Sequence, residues 1–109
     1  MTVQFIEMTE AGTLTISDED TDVHYVLYGD SVTEYTIAFD AANSFSTRRL
    51  YRFSNDGALA VINVANSTGS ISDVLLPGNV MQVTLTSLAT VAGNWKMRQH
   101  ICGAGSYEA

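Results

Sequence analysis

Apolar and polar residues alternate with a period of two along most of the chain, which is the pattern of half-buried β-strands. Thr13-Leu14-Thr15-Ile16 alternates, and Tyr35 to Phe39 forms a strand with its aromatics and Ile37 on one side. Val23, Tyr25 and Leu27 interleave with His24, Val26 and Tyr28, which predicts a strand covered on both faces. Arg49 to Phe53 puts Tyr51 and Phe53 on one face and Leu50 and Arg52 on the other. Ala60 to Val64, Val80 to Thr86 and Asn94 to Arg98 complete the set; the last places Trp95 and Met97 together. Turn residues separate these runs, among them Gly12, Gly29-Asp30, Asn55-Asp56-Gly57, Ser67 to Ser70, Pro77-Gly78 and Gly93-Asn94. Ser87 to Ala92 has room for one helical turn and ends at Gly93. The expected fold is all-β: a small sandwich or jelly-roll-like domain of about eight strands. Residues 1–12 are expected as an arm or first strand, 13–100 as the sandwich and 101–109 as a flexible tail.

With 109 residues the chain suits one domain with a thin core. Only 16% of its residues are charged, against about 25% in typical domains, so part of its surface is expected to be covered by a partner. The single cysteine, Cys102, allows no internal disulfide, which leaves oligomerisation as the available stabiliser. The net charge of −7 disfavours nucleic acid and anionic membrane surfaces. No secretory signal or membrane-length apolar run is visible, so a soluble protein made in a cytoplasm is expected.

Charge is unevenly placed. Nine of the twelve acidic residues precede Asn43, whereas Arg48, Arg49, Arg52, Lys96 and Arg98 fall in two short segments. If those segments are neighbouring strands, an acidic body carries a small basic patch, an arrangement suited to contacts between copies. Asp18, Asp20 and Asp22 have the spacing that opens an EF-hand loop, but Val23 and Gly29 stand where Gly and Glu are required. A solvated acidic turn, a looser calcium site and a contact with a basic patch of a partner all remain open for this cluster. His100 and Cys102 lack an orienting third group, and no Gly-x-Ser-x-Gly elbow, phosphate loop or zinc spacing occurs. No enzyme, cofactor or metal is therefore expected. Tyr25, Tyr28, Tyr51 and Trp95 are candidates for a sugar site or, alternatively, core residues.

Tyr35 to Phe39, Ala41-Ala42-Asn43 and Arg49 to Asn55 resemble a motif of bacteriophage tail-fibre and capsid decoration (cement) β-domains. Val61 to Val64, Ser67 to Ile71, Leu76 to Val80 and Gly93-Asn94-Trp95 follow in similar order, so the likeness spans Val32 to Met97. Fibre domains of this type end long stalked chains; here the domain is nearly the whole sequence, which favours the decoration type. The resemblance implies a homotrimer on the outer capsid surface of a virion that clamps major capsid proteins together. Arg48, Arg49, Arg52, Asp18, Asp20 and Asp22 are the expected subunit or capsid contacts. The alternative it implies is a receptor- or glycan-binding tip of a tail or head fibre.

Overall fold

The computed structural model describes residues 2–18, 23–29, 32–69 and 71–101. Nine strands follow one another: β1 (Thr2–Glu7), β2 (Thr13–Ile16), β3 (Val23–Gly29), β4 (Glu34–Phe39), β5 (Leu50–Gly57), β6 (Val61–Ala65), β7 (Ile71–Leu75), β8 (Asn79–Ser87) and β9 (Asn94–Ile101). A 3-10 turn, Ala42–Ser44, interrupts the loop between β4 and β5. The all-β expectation is met. β7 escaped the sequence reading, and Asn55 to Gly57, read there as a turn, completes β5.

The strands form a five-stranded sheet in the order β1-β3-β5-β8-β9 and a four-stranded sheet in the order β2-β4-β6-β7. From β1 to β6 the chain alternates between the sheets, and like strands pair in parallel: Thr2 beside Val23, His24 beside Arg52, Thr13 beside Thr36, Glu34 beside Val61. The N-terminal two-thirds is thus a flattened coil of three turns. Each parallel crossover, which must be long, is a strand of the opposite sheet. Only then does the chain reverse, with β7 antiparallel to β6, β8 to β5 and β9 to β8. The two-layer sandwich matches the expectation, but the jelly-roll connectivity does not, because jelly rolls are antiparallel throughout. The alternation of side chains is the same for parallel and antiparallel strands, so periodicity could not separate the two.

The sheets enclose one core. Tyr25, Leu27, Tyr51, Phe53, Met81, Val83 and Leu85 come from the five-stranded sheet, and Ile16, Ile37, Phe39, Ile62, Val64 and Leu75 from the other. Phe39 is its centre, with ring centroids 4.3 Å from Trp95, 5.6 Å from Tyr51 and 6.0 Å from Phe53. Tyr25 stacks on Phe53 at 5.5 Å. Such contacts add to the large apolar area aromatics bury, which a thin domain needs. The coil's corners stack tightly as well. Met8 N donates to Tyr28 O at 2.7 Å, and Gly29, at φ 129°, lies so close that a Cβ there would sit 2.7 Å from Met8 O.

Two polar side chains lock the layers together. Asn55 is fully buried at the end of β5; its Nδ2 donates to Ala60 O (2.8 Å) and Leu75 O (3.0 Å), and its Oδ1 accepts from Gly57 N (2.9 Å). Gln99 of β9 reaches the edge of β7, where Oε1 accepts from Leu76 N (3.1 Å) and Nε2 donates to Val74 O (2.8 Å). A C=O and the N–H two residues later are the pair a parallel neighbour strand would engage. Gln99 therefore imitates a strand's peptide groups and blunts that edge against foreign strands.

Candidate interaction face

Register and burial together fix which side chains leave the outer face of the five-stranded sheet. Four rows cross it. Glu7, Tyr28 and Asp56 form one; Phe5, Val26, Ser54, Val80 and His100 the next; Val3, His24, Arg52, Gln82 and Arg98 a third; Leu50, Thr84 and Lys96 a fourth. Apolar groups gather on the β1 side. Phe5 is 66% exposed, Val3 51% and Tyr28 38%, and Phe5 meets Tyr28 edge-on at 6.4 Å; Leu50, 43% exposed, stands apart at the start of β5. Basic groups gather on the β5–β9 side. The two basic segments are not adjacent strands, since β8 lies between them, yet Arg52 and Arg98 share a row and Lys96 stands in the next.

The expected site residues divide. Arg49 is engaged within the chain: its Nη2 lies 2.8 Å from Asp18 Oδ1 and its Nε 3.1 Å from the same oxygen, with Ser46 Oγ at 3.3 Å. That hydrogen bond holds the Asp18 carboxyl below its ordinary range. Arg48 is exposed beside this pair. Arg52 stands apart on the sheet's outer face, with its Nε–H buried and lacking a hydrogen-bond partner among the described residues. Asp20 and Asp22 lie outside the described residues, as does Cys102.

Sequence reading missed His24 and the Val3–Phe5 stripe. His24 Nε2 lies 2.7 Å from Ser54 Oγ. Desolvation, and then the Arg52 charge, push its pKa below the ordinary value, while Asp56 opposes the shift. The alternation of Val3, Phe5 and Glu7 was the available signal for the stripe, but it does not tell which face is core. Of the sugar-site candidates, Tyr25 and Tyr51 are core and Trp95 packs against it, donating Nε1–H to Ala92 O at 2.8 Å. Only Tyr28 reaches the outer face.

The outer face of the four-stranded sheet differs. It holds a shallow groove of about 510 Å³ floored by small residues, with Thr13, Thr36 and Asn63 in one row, Thr15, Ala38 and Ala65 in the next, and Asp40 at one end. Among the described residues no three His, Cys, Asp or Glu side chains come together as a metal-binding group. No helix there is long and apolar enough to cross a membrane. No family model, no curated protein and no solved structure matches this chain.

Proposed function

We propose that this chain is a structural virion protein of the capsid decoration type. It works as a homotrimer that binds the outer surface of an icosahedral capsid and stabilises contacts between major capsid proteins. It is made in the host cytoplasm and acts by binding, without a catalytic step. One observation carries the reading: Val3, Phe5 and Tyr28 stand exposed beside Arg52, Lys96 and Arg98 on one sheet face of a chain with net charge −7. Contiguous exposed apolar groups rimmed by charge are the usual mark of a protein contact. The test is co-sedimentation of purified protein with undecorated capsids of the phage that carries its gene, followed by capsid melting. Saturable binding at many copies per shell and a raised shell melting temperature are expected. No binding to capsids overturns the reading.

The groove over β2, β4 and β6 favours a second reading, a glycan-binding fibre tip. Its floor of hydroxyl and carboxamide groups suits sugar hydroxyls, although it lacks an exposed aromatic platform. A glycan array with the wild type and Asn63→Ala tests it; binding to no glycan counts against it.

A further inference from the structure

We infer that two copies of this chain pack face to face through the outer side of the five-stranded sheet, by a two-fold axis along the row Phe5–Val26–Ser54–Val80. On β3 and β5 the face is self-complementary about that row, while on β1 Glu7 comes over Val3. Asp56 lies two residues beyond Ser54 on β5 and Arg52 two residues before it. A two-fold through the row therefore sets Asp56 of each copy over Arg52 of the other, and Tyr28 over His24 in the same way. Phe5, Val26 and Val80 meet their own counterparts along the axis, which covers Phe5, the most exposed aromatic among the described residues.

Two observations choose a second copy as the occupant. The charges match: an exposed carboxylate and an Arg whose Nε–H has no partner among the described residues stand two residues to either side of Ser54. Isologous contacts require this kind of symmetry, in which residue i meets j and j meets i. The size is that of a weak contact: the rows with a counterpart across the axis span about five residues at about 3.3 Å on five strands at about 4.8 Å, roughly 400 Å² per copy and about 800 Å² in all. Finally, aligned sheets pack through alternate side chains at about 10 Å, which is the reach of an Arg to a carboxylate across the gap. The contact uses the face that also carries the capsid reading, so a copy paired through it and a copy docked on the shell through it exclude one another. Trimers closed through strand edges would be joined in pairs by it before docking.

The test uses Arg52→Glu and Asp56→Arg, each followed by native mass spectrometry and sedimentation velocity. The wild type is expected to be a dimer or an even multiple. Each variant alone sets like charges opposite one another twice and should dissociate at least about tenfold more readily. Mixed one to one, the two variants restore both attractive pairs and should form a heterodimer. Phe5→Asp, at an exposed site, should weaken the contact whether or not Arg52→Glu folds. A monomeric wild type, a trimer indifferent to all three variants, or a mixture that forms no heterodimer overturns the inference. Capsid co-sedimentation is read separately, so failure of one proposal does not disguise failure of the other.

Discussion

Replacing Asn55 by Asp changes two N–H donors into an oxygen and almost nothing in shape. The oxygen that replaces Nδ2 faces Ala60 O and Leu75 O at the positions now 2.8 and 3.0 Å away, while the Gly57 N contact survives. An ionised carboxylate cannot stay against two carbonyls in a fully buried site, so the group must be protonated to fold. Holding a carboxyl neutral at pH 7 against an ordinary pKa near 3.9 costs about 4 kcal/mol, at about 1.36 kcal/mol per pH unit. The protonated group donates once, so one carbonyl stays unpaired at a further cost of about 1–3 kcal/mol. The loss at pH 7 is thus about 5–7 kcal/mol, comparable to the whole stability of a small domain. The folded pKa lies above the unfolded one, so the folded state binds the extra proton and the variant gains stability as pH falls. Urea unfolding of the variant and wild type at pH 5, 6 and 7 should show the gap widening by about 1.4 kcal/mol per unit. A pH-independent gap, or one below about 1 kcal/mol at pH 7, would refute the role given to Asn55.

Gln99→Ala should cost about 1–2 kcal/mol in urea unfolding and speed amide exchange at Leu76, whose N–H loses its acceptor. In the wild type, His24 has its folded pKa below the unfolded 6.5, so the unfolded chain takes the proton first. Stability should therefore be full above about pH 6.5 and fall as pH drops toward the folded pKa. That part of the pH dependence should vanish in His24→Gln, as read from urea midpoints at pH 5 and 7.5. Gly93→Ala should lower stability by about 2–4 kcal/mol, because Gly93 has φ 72° and an added Cβ would collide with the Ala42 side chain. A shift in Trp95 fluorescence should accompany it, since Trp95 Nε1 lies against the same loop.

Strand positions and facing residues were legible because burial alternates wherever a strand has one core side, as in Tyr51-Arg52-Phe53 and Met81 to Leu85. The place of Phe39 in the core followed from the same rule, whereas alternation left Trp95, which packs against that core, open between a sugar site and the core. Strand direction was not legible, since alternation carries no sign and the partners of the parallel strands lie a whole coil turn away. β7 was missed because Ser72 and Asp73 dilute its apolar residues and a bulge at Val64 and Ala65 breaks its register with β6. Asn55 read as a turn residue because Asn-Asp-Gly is the composition of a hairpin. Its burial depends on Ala60 and Leu75, which only the fold brings near. On the candidate face, the grouping of basic residues was visible as clustering in sequence. The apolar row beside them depends on β1 lying next to β3, a parallel pairing.

The alternation of the first six strands between two sheets dictates an order of assembly. β8 and β9 meet across a short loop, as do β6 and β7, so these hairpins can close from local chain alone. β1 and β2 pair only with strands a full turn downstream, at the entropy cost of closing a long loop. A ribosome releases the chain in the opposite sense. β1, with its exposed Phe5, emerges first and waits unpaired until β3 arrives, and β3 in turn until β5. The segment most inviting to a stray strand is thus exposed before its own partner exists.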